Sequence, residues 1–385
     1  MQRRARDADE RRDVTRPVQQ TEQGAAPGVS VIETPQLGKW AASWHRLVTT
    51  ASVPSPFMHS WWLEAVASKP VTYLLVVDQG ELLGGFALQR HGALGLTVFR
   101  MPGPTSLCPD HLDLLVAAGH EQVVRAAIAT WFAGHRSVIV DIRGVVEKSH
   151  LELALPRARV TVLDVAPWAC VPSGGSAYLA GLSSGLRRQV RRAERRMASH
   201  NLASHTICLD EFDSTLRDFE RLQGARGDRR ALLAEMPRLG PALRAGMAAG
   251  EVRIDVLQAS GDTVAVSISF VIAGRLRLYQ SARSFAPEFR DVGSMLLFHV
   301  IGQACDDGCR EVDFLRGAEP YKLRFTDRER KVLHLRAAHG ARANAILHVL
   351  VQLERARKAA GAARRWYRDQ RGAGLVARKR PRSAE

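Results

Sequence analysis

The chain runs twice through one order of segments, and that repetition limits its architecture more than any other feature. In the first half, the mostly apolar runs 71–77 and 83–89 flank the turn Asp78-Gln-Gly-Glu81, a hairpin signal. A strand at residues 94–101 follows, then a helix at 121–133 ended by Gly134, then a buried strand at 137–144. From Val252 the order returns: strands at 252–257 and 264–270 around Ser260-Gly-Asp262, a strand at 275–279, a helix ended by Gly308, and a strand at 311–315. Both copies close alike, with Asp141-Ile-Arg143-Gly144 and Asp313-Phe-Leu-Arg316-Gly317. The spacing therefore predicts an α+β fold of two copies of one unit, each a mixed sheet flanked by helices. At 385 residues the chain is long enough for two cores plus tails.

Helices are also predicted at residues 37–50, with Trp40, Trp44 and Leu47 on one face, and at 57–66 around Trp61-Trp62. Two more are expected at 210–221 and 231–249. The predicted division is a disordered polar tail at 1–28, a first unit at 29–166, a second at 167–340, and a basic helix and tail at 341–385.

The apolar fraction of 46% suits a soluble protein. No apolar run nears the ~18–20 residues that span a bilayer. The N-terminal arginines lack a following apolar stretch, so a cytoplasmic location is expected. The five cysteines are odd in number and scattered, which argues against a disulfide framework. Cys305 and Cys309 lie one helical turn apart, but no second pair stands at zinc spacing, and no metal is expected.

The net charge of +16 is local. Residues 186–197 carry +5 and residues 354–385 carry +8, so the remainder is nearly balanced. In the first of these, Leu186, Val190, Ala193 and Met197 form one helical stripe. Arg187, Arg188, Arg191, Arg192, Arg195 and Arg196 fill the opposite arc. A solvated face is the plain reading. Like charges at i,i+4 repel by a few tenths of a kcal/mol, however, and arginine forks suit phosphate. The polar loop at 224–230 reads equally as a surface linker or as the border of a cleft. In the second basic stretch, a helix at 345–371 with apolar Ile346, Leu347, Val349, Leu350 and Leu353 turns basic toward Lys379-Arg-Pro-Arg. It is either a solvated tail or a contact for an anionic membrane or RNA.

Residues 290–322 read as loop, helix, strand and loop. Ser294 is placed to cap the helix. Backbone N–H groups at a helix start lack intrahelical partners and attract anions. Arg290-x-x-Gly293 resembles the pyrophosphate loop of GNAT acyltransferases, [Q/R]-x-x-G-x-[G/A], with Met295 departing at the last position. Asp313-Phe-Leu-Arg316-Gly317-x-Glu319-x-Tyr321-Lys322 resembles the signature near the end of BioF2-like, CelD (BcsL)-type acetyltransferase domains, GNAT relatives of the Fem aminoacyltransferases. The resemblance covers roughly residues 29–336 and implies tandem GNAT-like units.

It further implies an acyl-CoA donor, acetyl-CoA in the simplest case, and an amine or hydroxyl acceptor, phosphorylated or sugar-linked. The donor pyrophosphate would rest on Val292, Gly293 and Ser294 beside Arg290, with pantetheine along the strand of Tyr279. The first copy has neither an Arg-x-x-Gly loop nor a Glu-x-Tyr-Lys continuation, so the donor site is expected in the second. Glu319 is the candidate base and Tyr321 the candidate acid. Lys322 would bind a donor phosphate or neutralise Asp313. The acceptor would meet Arg187, Arg188, Arg191, Asp313 and Arg316. Against these stand structural roles: an Asp313–Arg316 pair and a packed Tyr321. Two other functions remain open, Fem-like transfer from aminoacyl-tRNA and a non-catalytic module for envelope polysaccharide production.

Overall fold

The structure, a computed structural model, describes residues 28–377 apart from residues 94 and 156. The expected N-terminal tail up to residue 27 and the basic end from residue 378 lie outside the described residues. β1 (Val29–Thr34) pairs antiparallel with β2 (Val71–Asp78), and α1 (Ala41–Thr50) and α2 (Ser60–Val66) fill the connection. A two-residue turn leads from β2 into β3 (Glu81–Ala93). Its Gln79 and Gly80 take φ of 46° and 85°, the left-handed pair such a hairpin requires. β4 (Leu96–Arg100) continues the sheet, and the short β5 (Leu115–Val116) pairs with β3. α3 (Glu121–Ala133) crosses back to β6 (Val138–Val146), which lies parallel to β4. α4 (His150–Ala154) leads into β7 (Arg159–Cys170).

After α5 (Gly175–Gly181) and α6 (Ser184–Ser199) the same parts recur. β8 (Leu202–Thr206) is followed by α7 (Phe212–Gly224), α8 (Arg230–Leu233) and α9 (Met236–Ala248). Then come the antiparallel run of β9 (Val252–Ala259), β10 (Asp262–Ile272) and β11 (Arg275–Arg283), the crossover helix α10 (Val292–Asp306), and β12 (Glu311–Asp313) parallel to β11. β13 (Glu329–His339) and α11 (Ala341–Ala377) close the chain.

The strand order is β1-β2-β3-β4-β6-β13-β7-β12-β11-β10-β9-β8, so the two copies face each other across the middle of one sheet path. At that middle the copies exchange strands. β13, from the end of the chain, pairs with β6 of the first copy. β7, which ends the first copy, pairs with β12 of the second and with β13. Since both exchanged strands cross the sequence boundary, we propose residues 29–166 and 167–340 as repeats that complete one another's sheets.

The largest core spans both copies. Phe57 and Trp62 from the first pack edge-on against Phe270 and Tyr279 from the second, with ring centroids 5.4–6.0 Å apart. Such rings bury about 150–250 Å² each, worth about 4–6 kcal/mol of transfer free energy apiece before entropy is subtracted. A second core lies between α10 and α6, whose Leu186, Val190 and Ala193 form the expected buried stripe. A third is made where Ala343, Leu347 and Val351 of α11 cover Leu96, Val98 and Ile139. Val349, Leu350 and Leu353 of α11 stay exposed, so only one edge of that apolar series docks.

Other expectations change. The helix predicted at 231–249 is broken into α8 and α9, and Pro56-Phe-Met58 forms a 3₁₀ turn before α2. Asp291, not Ser294, occupies the cap position of α10, and its carbonyl accepts the Ser294 and Met295 N–H groups at 3.0 Å. Among the described residues, no helix is long and apolar enough to cross a membrane.

Candidate active site

β11 and β12 pair only from Arg275↔Glu311 to Arg277↔Asp313. Beyond Asp313 the chain leaves β11 and follows β7: Phe314 N–H donates to Pro167 O at 2.9 Å, and Gly317 N–H to Val165 O at 2.9 Å. Leu315, with φ of 52°, and Gly317, with φ of 112°, make the bend. Asp313 fixes it by accepting the Leu315 N–H at 2.8 Å. The result is a wedge between two parallel strands, holding a cavity of about 630 Å³. That size suits a small-molecule or cofactor site.

In the first copy the matching wedge between β4 and β6 is partly filled by its own chain. Leu112 bridges Val145, with Leu112 N–H to Gly144 O at 2.9 Å and Val146 N–H to Leu112 O at 3.1 Å. A smaller cavity of about 370 Å³ remains, lined by Arg100, Asp141 and Arg143 among others, and Arg316 borders both cavities.

The second-copy cavity opens toward the start of α10, where Arg283 and Arg290 line it with Gly293 and Ser294; Arg324 lines it too. Arg229, from the polar loop before α8, lines it as well. The Ser294 N–H is engaged with Asp291 O, which leaves the Val292 and Gly293 N–H groups as the free donors of this turn among the described residues. The Val292 side chain itself is buried. A Cβ on Gly293 would stand 2.9 Å from Arg283 Cδ, so this glycine makes room for the arginine. Arg283 in turn lies over the Phe285 ring at 4.5 Å. Asp291 pairs with Arg196 of α6, which reduces the repulsion it would offer an incoming anion.

At the other end stand Glu319, Tyr321 and Lys322. The Lys322 side chain is only 6% exposed and is fully used: Nζ donates to Glu319 Oε2 at 2.8 Å and to Arg316 O at 2.8 Å. It therefore pins the loop and does not wait for a phosphate. Burial by itself would raise the Glu319 pKa, but Lys322, its own backbone N–H and Arg229 together hold the carboxyl below its usual range. The Tyr321 hydroxyl has no hydrogen-bond partner among the described residues, and burial with the Glu319 charge pushes its pKa up to about 12. A Cβ on Gly317 would lie 2.5 Å from Glu319 Oε2, so the carboxylate sits directly against that glycine.

Arg316 and Tyr279 line the cavity, yet each is held by the first copy. Arg316 Nε donates to Asp110 Oδ1 at 2.6 Å, and its backbone N–H to Asp110 Oδ2 at 3.0 Å. The Tyr279 hydroxyl donates to Leu107 O at 2.8 Å. Asp313 is 0% exposed, outside the cavity lining, and enclosed by His111 Nε2 and Arg330, each at 2.9 Å. Its acceptor-binding role is therefore corrected to a structural one, and its expected partner Arg316 is taken by Asp110. Burial alone would raise its pKa, but His111, Arg277 and Arg330 together hold it at about 2.

The α6 arginines expected at the acceptor do not line the cavity. Arg187 donates to Ala180 O at 3.0 Å, closing the end of α5, while Arg188 and Arg191 point to solvent. α6 instead meets the cavity through Leu186 and Gln189. The wedge thus collects Glu319, Tyr321, Lys322, Tyr279, Arg290, Gly293, Ser294 and Arg316. It adds Arg283, Arg324, Cys108 and Asp164, which sequence reasoning missed because no motif joins them to residues 290–322.

The acetyltransferase (GNAT) domain family matches residues 184–323, from α6 through the loop of Lys322. No curated protein sequence matches the chain. Among solved structures, FemX is similar over 77% of this chain and 95% of its own, at 10% identity and a TM-score of 0.58. A conserved protein of unknown function from Bacteroides thetaiotaomicron VPI-5482 is similar over 79% of this chain and 98% of its own, at 11% identity and a TM-score of 0.55. The fold is thus the mixed α+β, GNAT-like architecture expected from the sequence, and the similarity to acetyltransferase (GNAT) domains lies in residues 184–323.

Proposed function

We propose that the chain transfers an acyl group, acetyl in the simplest case, from acyl-CoA to an amine or hydroxyl acceptor. The observation that carries this reading is the wedge between β11 and β12, running from an arginine-lined helix start to the loop of Tyr321. A thioester arm fits between the separated strands, where unpaired β11 backbone can bind its amides. The pyrophosphate meets the Val292 and Gly293 N–H groups with Arg283 and Arg290. The acceptor attacks the thioester carbonyl and loses its proton to solvent water; the tetrahedral intermediate then expels the thiolate, which takes a proton. Tyr321, protonated at neutral pH because its pKa is raised, would be that donor. Glu319, ionised and tied to Lys322, is a weak base whose carboxylate orients the acceptor by hydrogen bonding. No protein-bound intermediate is required. With these co-substrates the protein would act in the cytoplasm.

Acetyl-CoA binding by calorimetry tests the donor. We expect micromolar affinity in the wild type and a loss of about ten-fold or more in Arg290→Ala, with an unchanged thermal midpoint. Gly293→Asp is a poorer probe, because the new side chain meets Arg283 first. A folded wild type that binds no acyl-CoA removes this reading.

One observation favours the Fem-like alternative, transfer from aminoacyl-tRNA. Arg188, Arg191, Arg192 and Arg195 on α6 are exposed and form no ion pair among the described residues, and the helix begins at the cavity. Four phosphate contacts there would make log affinity for tRNA fall by about 3–4 per ten-fold rise in salt. Binding too weak to show that slope would leave acyl-CoA as the donor.

A further inference from the structure

Away from the cavity, two histidines of the first copy meet a glutamate of the second where the two copies join. His45 lies on α1, His59 just before α2, and Glu251 just before β9. His45 Nδ1 is 3.6 Å and His59 Nε2 is 3.4 Å from the same oxygen, Glu251 Oε1, and the three ligand atoms lie within 4.8 Å of one another. Tetrahedral zinc with bonds of about 2.0–2.1 Å sets its ligands about 3.3–3.4 Å apart, so both measured edges are near that value.

A second observation points to a ligand. His59 is 2% exposed, and its Nε2 has no hydrogen-bond partner although it faces a carboxylate. The supporting contacts also have the form of a metal centre. The other Glu251 oxygen, Oε2, accepts the Trp61 Nε1–H at 2.5 Å, which turns Oε1 toward the histidines. The His59 ring stacks on Trp61, with centroids 5.9 Å and planes 12° apart. The His45 side chain is 54% exposed, which leaves a fourth position to water.

We propose that His45, His59 and Glu251 bind one zinc-like divalent cation, completed by water, that clasps the helices of the first copy to the start of the β9–β10 hairpin of the second. Nothing in the cluster lines the donor cavity, so the clasp is structural and independent of the acyl-transfer reading.

The test uses the full chain, dialysed against a chelator and titrated with Zn²⁺ against a chromophoric competitor, then with Co²⁺ for its visible absorption. We expect one equivalent bound, a four- or five-coordinate Co²⁺ spectrum without thiolate charge-transfer bands, and a thermal midpoint that rises with Zn²⁺. His45→Ala, at an exposed position, should fold and lose at least ten-fold in affinity; Glu251→Gln should lose more. Acetyl-CoA affinity should be the same in wild type and His45→Ala. Zinc that does not bind the wild type, or binds His45→Ala and Glu251→Gln equally well, overturns the proposal. So does a cobalt spectrum dominated by thiolate bands, which would place the metal on cysteines instead.

Discussion

Tyr321 and Asp313 stand eight residues apart in one motif, and the structure gives them opposite tasks. Tyr321 is half-exposed in the cavity and its hydroxyl is free, so the change to Phe removes a proton donor and little packing. Tyr321→Phe should lower kcat by about 10²-fold or more while the thermal midpoint stays constant. An unchanged kcat would exclude it as the acid. Asp313 is enclosed by His111, Arg277 and Arg330, and its folded pKa of about 2 lies below the unfolded value of about 3.9. A depressed carboxyl pKa gives stability that is complete above the unfolded pKa and lost as pH falls toward the folded one. Thermal midpoints should therefore decline between about pH 4 and pH 2 through this group. Asp313→Asn should remove that limb and destabilise the protein at neutral pH by about 3–5 kcal/mol, because it leaves buried cations uncompensated.

At the scale of elements, two glycines, one within β6 and one just after β12, shape the two wedges. Gly144 and Gly317 have φ of 93° and 112°, and each sits against another group. A Cβ at Gly144 would fall 2.0 Å from Pro109 O, a backbone atom, whereas at Gly317 it meets the movable end of Glu319. Gly317→Ala should cost about 1–3 kcal/mol of backbone strain and disturb the Glu319–Lys322 pair. Gly144→Ala should cost more, since the 109–112 segment must shift. Denaturant midpoints of the two variants test that order, and equal values would contradict it. α6 shows how far an element can be read alone. Its apolar stripe is buried as the period of its sequence requires, but the direction of its arginine arc followed from α5, α10 and Asp291.

For the whole molecule, the exchange of β7 and β13 makes each copy depend on the other. Removing residues 329–385 leaves β6 and β7 each without one of its two partners. The exposed central edges should aggregate, so the shortened chain should lose cooperative melting and resistance to proteolysis in both copies. A folded first copy in that truncation would contradict the exchange as a requirement for stability. The Asp110–Arg316 pair and the Tyr279–Leu107 hydrogen bond add polar links across the same seam, next to the cavity.

The sequence by itself determined the repeated order of hairpin, strand, helix and strand, the buried stripe of α6, and the loop-helix-strand segment that forms the wedge. These are local properties: side-chain period, turn chemistry and breakers report which face is buried without naming the partner. The strands β7, β8 and β13 escaped that reading, and the central pair β7 and β13 took its place through registers that join residues more than 160 positions apart. Tertiary structure alone turned Asp313 inward, gave Arg316 to Asp110, used Lys322 to hold a loop, and brought His45 and His59 to Glu251. Such contacts depend on which strands become neighbours across the seam, and local spacing carries no record of that pairing.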